Sequence, residues 1–178
     1  MRKNGSRIIS FARYRATDLL LFAVILAVFD VISFFAFTRW FASSSGNFFF
    51  SVSIAISLII MVRWNWYGLF YAVGDGILYC VLAIFAGGGV AEELILQYFV
   101  TYAVGNAFVG LAFLMVRFAG YKRITGRWYF TALYVVCGWA AVVIGRTIVS
   151  VCFGAQLGDA LLGFMGPSEL LSLVMSII

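Results

Sequence analysis

The chain has 178 residues, of which 65% are hydrophobic and only 11% charged. Soluble domains average about 45–50% apolar and about 25% charged residues, and a body this small cannot hide such an apolar excess inside itself. A soluble enzyme, a nucleic-acid binder and a disordered tail are thereby excluded, and the lipid bilayer is the expected surrounding. The net charge of +5 comes from 12 basic and 7 acidic residues, and in a membrane protein their placement matters more than their sum.

Residues 1–16, within MRKNGSRIISFARYR and just beyond, are basic and lack the short apolar run and cleavage site of a signal peptide. They read as a cytoplasmic N-terminus. A membrane-crossing helix takes about 20 apolar residues, and six stretches follow. The first is residues 18–41 and the second, short for a span, is 48–62. The third covers 66–86. The fourth, 92–118, is long enough to tilt or to extend past the hydrocarbon core. The fifth is 128–153. The sixth is 168–178, where Ser168 is placed to cap a helix ahead of Glu169. Gly163, Gly166 and Pro167 interrupt the run before it, so GDALLGFMG reads as a short interfacial or re-entrant piece. ASSSGN (42–47) and AGGGV (86–90) read as flexible loops, and GYKRITGR (120–127) as a basic loop. The expected fold is all-α: a six-transmembrane-helix bundle in one domain, 1–178, without a linker or internal repeat.

Charge orients this bundle. With the N-terminus in the cytoplasm, Arg2, Lys3, Arg7, Arg13, Arg15, Arg63, Arg117, Lys122, Arg123 and Arg127 all fall inside. Only Arg39 and Arg146 stay in the outer half. Asp30, Asp75, Glu92, Glu93, Asp159 and Glu169 lie at or above the midplane, and Asp18 alone among the acids lies inside. Lysine and arginine bias sets topology, so both termini are expected to be cytoplasmic.

Ionisable groups within spans are costly in lipid and usually face a cavity or a partner. Counting about 1.5 Å of rise per residue puts Asp30 and Asp75 near the midplane. It puts Arg146 and Glu169 in the outer half, with Arg39 beside Trp40 at the outer end of the first helix. Gln97, Tyr98 and Tyr102 on the fourth helix and Tyr79 on the third join them at similar depth. Asn106 and Trp139 sit lower. As a set these residues predict an outward-facing polar pocket with aromatic surfaces. The plainer alternative is that Arg146 pairs with Asp75 or Glu169 and fixes helix packing. Trp64, Trp66, Trp128 and Tyr129 read as an inner interfacial belt. Small residues that permit close helix approach recur at Ala23 and Ala27, at Gly68, Ala72 and Gly76, and at Ala103 and Ala107.

Catalytic signatures are missing from the sequence. There is no His to act as base or metal ligand, no G-x-x-x-x-G-K-[ST] and no G-x-S-x-G. Cys80, Cys137 and Cys152 lie singly in apolar runs and read as small hydrophobes. Neither a cofactor nor a metal is expected, and the chain is read as a non-enzyme.

Six helices, internal termini, Ala23-x-x-x-Ala27 on the inner half of the first helix, no ATPase motif and an outward pocket together resemble a known family. It is the substrate-binding membrane subunit, or S component, of energy-coupling factor (ECF) transporters. The resemblance implies that Ala23 and Ala27 dock against a transmembrane coupling subunit energised by two ATPase subunits. It implies a vitamin-like ligand held by Gln97, Arg146 and Glu169, with Arg39, Trp40 and ASSSGN as a lid. It places the chain in a bacterial cell membrane. Two other classes stay open: a non-transporting helical scaffold in which the charges only pair, and an ion-coupled carrier relaying through Asp30 and Asp75.

Overall fold

The structure, a computed structural model, describes residues 11–40, 51–87 and 94–177. The ASSSGN loop, Gly88, Gly89, Glu92 and Glu93 lie outside the described residues, as do the side chains of Arg39, Trp40 and Ser168. Among the described residues the chain is all-helical.

Helix α1 runs Phe11–Trp40. Nothing between these residues is Gly or Pro, so no breaker holds the start back to the expected Asp18. The early turns are anchored too: the Phe11 and Tyr14 rings lie 5.5 and 6.0 Å from that of Trp64. Helix α2, Ser53–Trp64, has 12 residues, which span about 18 Å against a hydrocarbon core of about 30 Å. It ends at Asn65, whose φ of 65° is a left-handed conformation that Asn tolerates. This turn feeds α3, Tyr67–Gly87.

Helix α4, Ile95–Ala107, passes through a 3-10 turn, Phe108–Leu111, into α5, Ala112–Ala119. The three pieces make one apolar span, Ile95–Ala119. Gly120 ends it with φ 82°, a conformation for which glycine lacks the Cβ penalty. The segment expected to be a basic loop instead forms a short helix, α6, Tyr121–Gly126. Its Ile124 is 2% exposed within the main core, and that anchor gives the local turns a reason to form. Helix α7, Trp128–Cys152, follows. Helices α8, Leu157–Phe164, and α9, Pro167–Ile177, bend by 45° at their break. Pro167 starts α9, where the missing N–H costs no helical bond.

Four described helices are long and apolar enough to cross a membrane, or five if α8 and α9 count as one bent span. The expectation was six, and the shortfall is α2. The arrangement is that of a membrane-embedded helical bundle. Helix α7 lies at its centre, packed by α4, α2, α8 and α9, while α3 packs between α2 and α4. Leu58, Met61, Val109, Tyr134, Trp139 and Val142 are among its buried core. At the α4–α7 crossing the backbones nearly touch: a Cβ on Gly105 would lie 2.8 Å from Arg146 Cα, and one on Gly145 would lie 2.6 Å from the Gly105 carbonyl oxygen.

One end of the bundle gathers the basic side chains. Asp18 of α1 pairs with Arg63 at 3.4 Å and accepts a 2.6 Å hydrogen bond from Trp64 Nε1 at the end of α2. Trp66 and Trp128 are exposed at this end, whereas Trp64 is drawn inward by Asp18.

Candidate functional site

Away from that basic end, the helices enclose a cavity of about 370 Å³. Its wall combines Ser51 and Ser53 at the start of α2, Asp75 and Tyr79 of α3, and Tyr98 and Tyr102 of α4. Arg146 of α7, Phe164 of α8, and Glu169 and Ser172 of α9 also line it.

One face of α4 explains why that helix contributes. Tyr98, Tyr102 and Asn106 are spaced by four residues and so stack along a single stripe. Asn106 is 2% exposed and sits one turn deeper than Tyr102, behind the cavity wall. Its amide nitrogen donates to the Ala72 carbonyl at 2.9 Å and to Asp75 Oδ2 at 3.2 Å. Its carbonyl accepts from Arg146 Nε at 2.8 Å. Asn106 therefore ties α3 to α7, and its donors and acceptor are all used.

Arg146 is 6% exposed. A guanidinium there needs partners, because an isolated buried charge is expensive. It has three. Besides Asn106, its Nη1 donates to Glu169 Oε1 in an ion pair, and its carbon centre stands 4.8 Å over the Tyr102 ring. Tyr102 in turn packs with Tyr79 at 4.6 Å and with Tyr98 at 5.6 Å between centroids. The result is a layered tyrosine wall beside a charged pair whose Glu169 side chain remains 21% exposed.

Opposite Arg146, two carboxylates meet one hydroxyl. Ser51 Oγ lies 2.8 Å from Asp30 Oδ1 and 3.1 Å from Asp75 Oδ1, and accepts the Ser53 N–H at 3.0 Å. Asp30 and Asp75 are 1% and 3% exposed. A serine hydroxyl has one proton, so it serves these carboxylates in turn and cannot satisfy both at once. The Ser51 N–H donates to Ser172 Oγ at 3.2 Å. Ser172 and Glu169 share a face of α9, so the polar contacts close a circuit: α9, α2, α1 with α3, α4, α7 and back to α9.

The structure brings Asp75, Tyr79, Tyr102, Arg146 and Glu169 to one cavity, with Asn106 directly behind. It does not bring Gln97 or Trp139 there. Gln97 is one residue from Tyr98, about 100° around α4, and is half-buried off the lining. Trp139 shares the Arg146 face of α7, but seven residues earlier puts it about 10 Å deeper. It is 8% exposed in the apolar core. Ala23 is exposed and Ala27 half-buried, and both border a separate apolar groove between α1 and α3.

Ser51, Ser53, Phe164 and Ser172 were missed by sequence reasoning. The signal available for the first two was the pair of serines in FFFSVS, at the depth of Asp30 and Asp75. Among the described residues no group of three His, Cys, Asp or Glu could hold a metal ion. Chemically the lining offers a cation and carboxylates that can meet charged or N–H groups, hydroxyls that can meet polar ones, and tyrosine faces that can meet a ring. No protein-family model, curated protein or solved structure matches the chain.

Proposed function

We propose that the chain is the substrate-binding membrane subunit of an ECF-type transporter. On this reading it captures a small vitamin-like molecule from outside for uptake driven by a transmembrane coupling subunit and two ATPase subunits. Six segments then enter the bilayer, both termini are cytoplasmic, and the membrane is the bacterial plasma membrane. The chain itself performs no catalysis.

The observation that carries this reading is the polar, tyrosine-walled cavity at the end of the bundle away from the basic residues. The lysine and arginine bias orients that cavity outward. Arg146 meets a carboxylate or phosphate of the ligand, Asp75 or Glu169 an amine or ring N–H, and the tyrosines a ring face. The small side chains of Ala23 and Ala27 leave the α1 surface open to a coupling helix.

Native mass spectrometry of the gently purified protein tests capture. A retained small molecule that is lost in Arg146→Met supports the reading. An empty cavity in protein from cells supplied with vitamins speaks for the scaffold, whose charges would pair as Arg146 and Glu169 do here. Ala23→Trp should break co-purification with the ATPase subunits and leave the retained ligand in place. The Asp30–Ser51–Asp75 arrangement favours one second reading, an ion-coupled carrier. That reading requires uptake to stop in Asp75→Asn and to proceed without ATP.

A further inference from the structure

A second cavity, of about 650 Å³, lies at the opposite, basic end, between α2, α6, α7 and α9. It is graded along its length. Arg63 stands at its mouth, at the end of α2, and Ala55 lines it eight residues deeper, about 12 Å along the helix. Between them Leu58, Ile59 and Val62 of α2 face Val135 of α7 across an apolar interior.

Two observations mark it as more than a packing gap. Tyr134 lines it and is 2% exposed, yet its hydroxyl has no hydrogen-bond partner. A buried phenol without a partner costs free energy that a ligand acceptor would recover. The mouth is also one-sided in charge. Arg63, with a side chain 38% exposed, pairs through Nη1 with Asp18 and through Nη2 with the Tyr14 hydroxyl. It has five N–H donors in all. Helix α6 lines the cavity with Tyr121 and Thr125, while its Lys122 and Arg123 are exposed beside the opening. Among the described residues, Asp18 is the acid that meets this cluster.

We propose that this cleft binds an anionic glycerophospholipid from the leaflet at the basic end of the bundle. The order of groups matches the lipid's own. The phosphate meets Arg63 and the basic face of α6, an ester carbonyl accepts from Tyr134, and an acyl chain follows Leu58 and Ile59 inward. Basic pockets between membrane helices hold anionic headgroups by this charge complementarity. Ile59 and Met175 are exposed at the rim, which gives the chain a lateral entrance from lipid.

The test uses the full chain, delipidated in mild detergent and titrated with phosphatidylglycerol or phosphatidylcholine, with bound lipid counted by native mass spectrometry. Phosphatidylglycerol should bind about fivefold more tightly than phosphatidylcholine, the effect of one basic side chain at an anionic surface. Arg63→Gln should lower that preference, and Arg63→Gln combined with Lys122→Gln and Arg123→Gln should remove it. Tyr134→Phe should weaken both lipids alike, because both carry the ester. Ala55→Trp should abolish binding by filling the cleft, and Thr125→Trp does the same from α6 should the first variant fail to fold. Equal binding of the two lipids overturns the proposal. So does undiminished binding in a folded cleft-filled variant, which would indicate lipid on the outer surface of the bundle.

Discussion

Replacing Gly105 by alanine tests whether the α4–α7 crossing sets the geometry of the cavity. The new Cβ would lie 2.8 Å from Arg146 Cα and 2.9 Å from Arg146 N. Both are backbone atoms of a helix, so no rotamer change relieves the clash. To reach an ordinary contact of 3.4 Å, α7 must move away by about 0.6 Å. Overpacking of this kind costs about 1–3 kcal/mol. Alanine also gains about 1 kcal/mol of helix propensity over glycine, which would mask part of the loss. Gly74→Ala is the proper reference, since a Cβ there meets nothing within 4 Å. The difference between the two variants isolates the overpacking, about 1–3 kcal/mol, or a factor of about 5 to 140 in the unfolding equilibrium. Cys80, 1% exposed, reports unfolding by thiol labelling once Cys137 and Cys152 are serine. The same shift would stretch the 2.8 Å bond from Arg146 to Asn106 to about 3.4 Å, beyond a good hydrogen bond. If the cavity captures a ligand as proposed, its retention should therefore fall with stability. If Gly105→Ala melts with Gly74→Ala and keeps its ligand, the crossing does not position Arg146 and the reasoning fails.

Other substitutions probe the polar circuit. Arg146→Met and Glu169→Met should each destabilise by about 3–5 kcal/mol, because each leaves the other charge unpaired, with Arg146→Met at the low end because the Glu169 it leaves behind is partly exposed. The double variant should recover most of that stability while binding no ligand, as a thermodynamic cycle would show. Asn106→Leu should cost about 1–3 kcal/mol by stranding Arg146 Nε and Asp75, and a melt equal to the parent's would refute the bridging role. Trp64→Phe keeps an aromatic ring, though a smaller one, and removes the 2.6 Å bond to Asp18, and denaturant titration should show a loss of about 1 kcal/mol. In the native protein Cys152, which is exposed, should label well before Cys80.

The parts of this architecture legible in the sequence are those that lipid makes expensive. Asp75, Arg146 and Glu169 could be placed between the midplane and the outer end of one bundle because a charge in an apolar run has few reasons to be there. Helical rise then supplies the depth, but not the rotation. That is why Gln97 stands with Tyr98 among the expected residues when only one of these neighbours can face inward, whereas Trp139 has the rotation of Arg146 and is kept from the cavity by its lower position, in the apolar core. Hydroxyls escape the same logic. Ser51 is the group through which α1, α2, α3 and α9 meet, yet a serine within an apolar stretch is cheap enough to pass unnoticed. Close approach is similarly half visible. Gly68 and Gly76 stand out by their small-residue spacing, and a Cβ on Gly76 would indeed strike α4, at 2.5 Å from the Tyr102 carbonyl oxygen. Gly105 and Gly145 meet each other at the α4–α7 crossing, and no spacing within a single helix pairs them. A motif within one helix reports what that helix can allow. The cavity depends on a coincidence between two, and only the packed bundle contains that information.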